Sequence, residues 1–294
     1  MKRILAVALA LCAVLPAAHG QANTVDIHRD IIYASPGNVP VKLDLYVPTG
    51  LAAPPPIVIY IHGGGWEAGS KENPLPLALT KQGFALASIN YRLSQVAIFP
   101  AQIYDCKAAV RWVRANAEKY HYNADKIGLV GDSAGGHLVA LLATTANDPK
   151  LEGDEGNVGV SSAVQAVVDY YGPTDFISLI DQVTPQQRAN LDNPVTHLFG
   201  GPLWNHGLMA DKVEIAKLAS PVSHITATSS PMFILHGDQD PIVPLQQSVE
   251  FNDALKKAGV ETHLVVIKGG GHGFNDPPSA QAATDFLKKH LNVP

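Results

Sequence analysis

A serine among small residues stands at Gly131-Asp132-Ser133-Ala134-Gly135, after the apolar run KIGLV and before GHLVALLATTA. In this G-x-S-x-G spacing a strand turns sharply into a helix, the glycines make room for the turn, and the hydroxyl is thrust above the sheet. A serine hydroxyl attacks a carbonyl only when a base takes its proton and a carboxylate fixes that base's tautomer. Two segments place polar residues just beyond apolar runs and supply both: HGDQDPIVP at 236–244 and GGGHGF at 269–274. His272 is the expected base and Asp240 the expected orienting acid, which gives the chain order serine, aspartate, histidine.

Taken singly, each residue has a plainer role. Ser133 is a small residue in a tight turn, Asp240 starts the turn before Pro241, and His272 is a solvated loop residue among glycines. Their joint placement beyond strand ends is what favours chemistry. Asp238 is a rival acid, and Asp169 or Asp175 would serve if the acid followed the preceding strand. Asp240 is preferred because a helix follows its loop and leaves it facing the last loop.

Attack on an ester carbonyl makes an oxyanion, which preorganised backbone N–H groups must meet. HGGGW, residues 62–66, follows the apolar PIVIYI and lets the backbone approach a substrate closely. The expected oxyanion donors are Gly64 and Gly65, joined by Ala134 just after the nucleophile. His62 competes as a base, but a role in tethering its loop is favoured. A phosphate cradle is excluded because the Lys-Ser/Thr pair that such a loop needs does not follow.

These loops need a scaffold that gathers strand ends. TVDIHRDIIY and VPVKLDLYVP alternate in polarity around SPGN and predict an antiparallel hairpin. Continuous apolar runs follow at 56–62, 84–90, 126–131, 163–171, 231–237 and 262–269. Strands apolar on both faces belong inside a parallel sheet covered on both sides by helices, and 100–120 carries one such helical pattern. The predicted class is therefore α/β, with ligands gathering beyond the carboxyl ends of the strands. Residues 173–230 are too long for an ordinary connection and are read as a small cap insertion.

Lys2 and Arg3 precede an apolar run from Ile4 to Leu15 and then the small-residue stretch PAAHG, so residues 1–20 read as a secretory signal. Cys12 is disfavoured as a lipid-attachment site because leucine stands where a small residue is wanted. The mature part, 21–294, is then one catalytic domain without a membrane anchor, exported to the periplasm or beyond. Cys106 is its single cysteine, so no intrachain disulfide is expected. A net charge of −5 with 16% charged residues offers no basic stripe for nucleic acid. Twelve histidines are present, but without HEXXH spacing or a Cys/His cluster, so no metal is expected.

With HGGGW, SINYRLS, GDSAGGHLVA, HGDQDPIVP and GGGHGF in order, the chain resembles the hormone-sensitive-lipase-like and feruloyl/acetyl-xylan-esterase-like branches of the α/β-hydrolase superfamily. The resemblance covers essentially the whole mature chain. It implies an esterase without cofactor, with Ser133, Asp240 and His272 matching the family's triad and Gly64, Gly65 and Ala134 its oxyanion hole. Hormone-sensitive-lipase relatives carry a helical cap ahead of HGGG, whereas only a hairpin stands there in this chain. That departure implies a more open pocket and fits the carbohydrate-esterase-like branch better.

GDSAGG is also similar to the nucleophile segment of chymotrypsin-like proteases, and His62, Asp105 and Ser133 follow that family's order. Those proteases are all-β, while Asp105 sits in a helical pattern and Ser133 starts one. The expected function is hydrolysis of short-acyl, aryl or carbohydrate esters, acetyl or feruloyl, through an acyl-enzyme. An amidase, formamidase or peptidase with the same triad is an alternative, and a non-catalytic binding protein on the same fold is another. Trp66, Tyr91, Phe99, Trp204 and Phe274 are candidates to line an aryl or sugar pocket, or else to pack the core.

Overall fold

The apolar runs assemble into one eight-stranded sheet in the computed structural model, which describes residues 24–146, 148–204 and 207–293. The expected signal at 1–20, including Cys12, lies outside the described residues. In spatial order the strands are β1 (Val25–Ala34), β2 (Val41–Pro48), β4 (Ala85–Ile89), β3 (Pro56–Ile61), β5 (Asn123–Asp132), β6 (Ala166–Tyr170), β7 (Met232–Gly237) and β8 (Thr262–Ile267). The hairpin β1–β2 and the pair β2–β4 are antiparallel, and every other pairing is parallel.

Alternation along the strands feeds two cores. Ile57, Ile59 and Ile61 of β3 join Leu129 and Val167 on one face, while Val58 and Tyr60 join Val130 and Val168 on the other. The first face is covered by α1 (Ala101–Ala115), α3 (Ala134–Thr144) and α8 (Leu245–Lys257). The second is covered by the helical turn Leu75–Gln82 and by α9 (Pro277–Leu291), whose Phe286, Leu287 and Leu291 are buried. Gly128 of β5 marks how tightly α9 packs, since a Cβ there would stand 2.8 Å from Leu291 Cδ1.

The helical pattern over 100–120 is interrupted. Asn116 leaves helical geometry at φ −112° and ψ 11°, and its side chain donates back to the Trp112 carbonyl, so a separate turn α2 (Ala117–Tyr120) follows. The backbone amide of Asn116 keeps its helical bond to the same carbonyl at 3.1 Å, so the side chain adds a second donor at the end of α1. Among the described residues, 173–230 supply four short α-helices, α4 (Leu179–Gln182), α5 (Pro185–Ala189), α6 (Pro194–Leu198) and α7 (Val213–Ala219). They add no strand to the sheet. Among the described residues no helix is long and apolar enough to cross a membrane.

Candidate active site

β5 delivers Ser133 into a backbone conformation that L-residues resist, φ 51° and ψ −117°, at a cost of roughly 1–3 kcal/mol. Surrounding contacts hold it there. The Ser133 amide donates to Tyr170 O at 2.8 Å, and its carbonyl accepts from His137 N at 2.9 Å. The flanking glycines are demanded by close approach: a Cβ on Gly131 would stand 2.3 Å from Gly135 O, and one on Gly135 would stand 2.0 Å from Ile61 O.

The loops after β7 and β8 bring the expected partners to this serine. Ser133 Oγ lies 2.8 Å from His272 Nε2, and His272 Nδ1 lies 2.8 Å from Asp240 Oδ2. Asp240 also starts a turn, because its Oδ1 accepts from the amides of Ile242 at 2.8 Å and Val243 at 3.0 Å. Its side chain is fully buried. Burial pushes the carboxyl's pKa up, but hydrogen bonds from His236, His272 and the two turn amides outweigh it and hold the group well below the ordinary carboxylate range.

The rival acids stand elsewhere. Asp238 accepts from Gly269 N at 2.7 Å and Asp175 from Ile177 N at 2.8 Å. Asp169 accepts from Gly172 N at 2.9 Å, and burial pushes its carboxyl up to about 6. His62 stacks on Tyr91 at 4.5 Å with one ring nitrogen 2.7 Å from Gly63 O, consistent with a tether. Asp105 of α1 is paired with Arg92, which precedes that helix, so the protease-like trio of His62, Asp105 and Ser133 is not brought together.

Gly64 and Gly65 take the left-handed region at φ 103° and 62°. A Cβ would stand 2.4 Å from Ala68 O at the first and 2.9 Å from Pro194 Cβ at the second. The amides of Gly64, Gly65 and Ala134 donate to no other group among the described residues, and all three residues line one cavity with Ser133 and His272. Backbone N–H groups are obligatory donors, so three left unpaired in one cavity are available to an acceptor that enters it.

That cavity measures about 700 Å³, and nine of its twenty lining residues lie between 173 and 204. Trp66 and Trp204 line it, as does Tyr171, whose ring stands 4.8 Å from that of His272. The other aromatic candidates do not line it. Tyr91 is spent on His62, Phe99 packs against Phe199, and Phe274 packs against Tyr170 and Tyr171 beside a separate cleft.

Several supporting residues escape a reading by motif. Asp132 accepts from Tyr60 Oη at 2.7 Å and Gly63 N at 3.2 Å, which ties the glycine loop to the serine turn. Asn90 and Ser88 of SINYRLS hold the loop's far end by bonding the amide and carbonyl of Lys71, whose ammonium pairs with buried Asp44 at 2.8 Å. His236 stands 3.3 Å from Asp240 Oδ2, on the same oxygen as His272. The one signal in sequence for it was its position at the end of an apolar run, four residues before Asp240.

Residues 43–255 match the BD-FAE family. Esterase LipQ of Mycobacterium tuberculosis is 35% identical over 246 residues, which cover 79% of this chain and 55% of LipQ. The chain spans little more than half the length of these curated relatives. Among solved structures, a truncated carbohydrate esterase from gut microbiota is 32% identical with a TM-score of 0.80, covering 93% of this chain and 99% of that one. The butyrate-bound esterase Est2 of Thermogutta terrifontis is 27% identical with a TM-score of 0.70, covering 92% and 95%.

Proposed function

The chain belongs to the BD-FAE family, and from that premise we propose that it is a carboxylic-ester hydrolase working through an acyl-enzyme on Ser133. One observation carries the reading: Ser133, His272 and Asp240 stand in a line of two 2.8 Å contacts beside three unpaired amides. His272 Nδ1–H donates to Asp240, which leaves Nε2 bare to take the serine proton. As Oγ attacks, the carbonyl oxygen becomes an oxyanion that the amides of Gly64, Gly65 and Ala134 meet. Collapse expels the alcohol, which takes the proton from His272. Water then attacks the acyl-enzyme with His272 again as base, and the acid leaves.

The substrate in this proposal is a short-acyl, aryl or carbohydrate ester, acetyl or feruloyl. The cavity of about 700 Å³ with Trp66 and Trp204 on its walls supports an aryl or sugar group. The carbohydrate-esterase neighbour supports a sugar ester, and the butyrate-bound neighbour supports a short acyl chain. Residues 173–230 act as the cap of this pocket, and residues 1–20 direct export, which suits a polymer-derived substrate outside the cell.

The test is labelling with a fluorophosphonate followed by peptide mapping, with turnover measured on acetyl, butyryl and feruloyl esters and on acetylated xylan. Ser133 is expected to carry the label, and Ser133→Ala to lose on the order of 10⁶ in kcat. A label on another residue, or near-full turnover by Ser133→Ala, refutes the reading.

A further inference from the structure

Three elements around Ser133 meet at one buried ring that the proposed chemistry does not use. His137 lies on α3, one turn beyond the serine, and has no exposed surface. Its Nδ1 stands 3.1 Å from Trp66 Nε1, and its Nε2 stands 2.8 Å from the carbonyl oxygen of Ala219 at the end of α7. An indole nitrogen only donates and a carbonyl only accepts. Both partners therefore demand the same tautomer, Nδ1 bare and Nε2 protonated. Burial pushes the ring's pKa down to about 4, which keeps it neutral where an esterase works. Phe176 closes the group, with its ring centroid 5.1 Å from His137 and 5.9 Å from Trp66.

Trp66 directly follows Gly64 and Gly65 and is itself held at φ 60° with its side chain buried. Its indole is thus the anchor of the glycine loop, and the anchor's acceptor sits on the nucleophile's own helix. We infer that His137 is a positioning residue, holding Trp66 to α3 so that the Gly64 and Gly65 amides stay in register with Ser133 Oγ, while Ala219 fixes its tautomer. This rests on the acyl-transfer reading above. Oxyanion donors act on charge that develops only in the transition state, and a displacement near 1 Å costs on the order of 10²-fold in rate. Losing the anchor should therefore lower kcat and spare KM.

The experiment compares His137→Phe with His137→Asn on p-nitrophenyl acetate, with functional sites counted by fluorophosphonate titration. Phenylalanine keeps the ring's bulk without the acceptor, whereas the asparagine oxygen stands near the former Nδ1 and can accept from Trp66. His137→Phe is expected to lower kcat on the order of 10²-fold with KM within about threefold, and His137→Asn to recover most of that loss. Should His137→Phe fail to fold, Trp66→Phe removes the same bond from the other end and is expected to show the same kcat loss. Combined with His137→Asn it should cost no more than Trp66→Phe alone. Wild-type kcat in His137→Phe or Trp66→Phe, equal losses in the Phe and Asn variants, or a loss confined to KM would overturn the inference. A wild-type protein that takes up no fluorophosphonate overturns instead the acyl-transfer reading on which it stands.

Discussion

Asp240→Asn separates the turn contacts of this carboxylate from the orienting role proposed for it. Oδ1 accepts from two backbone amides, Ile242 N at 2.8 Å and Val243 N at 3.0 Å, and the asparagine oxygen must keep that place. The new NH₂ then takes the position of Oδ2, which lies 2.8 Å from His272 Nδ1. A donor facing Nδ1 forces that nitrogen bare and moves the ring proton to Nε2, opposite Ser133 Oγ. The base is then blocked by its own proton. A wrong tautomer of this kind costs on the order of 10⁴ in kcat, about 5.4 kcal/mol of transition-state stabilisation. The turn survives, so the stability loss is that of altered side-chain hydrogen bonds, about 1–2 kcal/mol. Turnover of p-nitrophenyl acetate, measured together with urea unfolding, should therefore show an enzyme that is folded and nearly silent. A kcat within tenfold of wild type refutes Asp240 as the residue that orients His272.

Asp238→Asn is the matched control and should keep kcat within about threefold, with about 1 kcal/mol lost in urea unfolding from the weakened bond to Gly269 N. Gly135→Ala should lose more than about 3 kcal/mol of stability in the same unfolding assay, because its Cβ would fall 2.0 Å from Ile61 O. His197 of α6 bridges Glu67, beside the glycine loop, and Asp192, which raise its pKa above the usual imidazole value. That pair adds stability fully present below about pH 6.5 and lost as pH rises through the higher folded pKa. His197→Gln should therefore remove a decline in Tm as pH rises from about 6.5, and an unchanged Tm profile would refute the clasp.

The sheet was legible because parallel strands buried on both faces must be apolar throughout, as in PIVIYI, and few other elements read that way. Ser133 and His272 were legible for a related reason: each stands where such a run stops, and strand ends are where this architecture gathers chemistry. The supporting residues were not, because their partners are distant in sequence. Tyr60 meets Asp132 across 72 residues and Trp66 meets His137 across 71, with no local pattern to announce either contact. The aromatic candidates show the same limit. Trp66 and Phe99 are equally buried at 3%, yet only the first lines the cavity with Ser133, because residue type predicts burial and not direction. The break at Asn116 is not legible because apolar spacing continues across it while the backbone leaves helical geometry at that residue.

Asp240 shows why weighing a plain role against a chemical one can mislead. Starting the turn before Pro241 and orienting His272 look like rivals for one residue, but a carboxylate has two oxygens: Oδ1 takes the turn amides, while Oδ2 faces His272 and, at 3.3 Å, His236. The turn amides fix the plane of the group, and that plane aims Oδ2 at His272. The turn is thus the means by which the acid is positioned, and weakening it should disturb the base. Replacing Asp240 by alanine removes both functions together, so only a substitution that keeps one oxygen can measure the orienting role by itself.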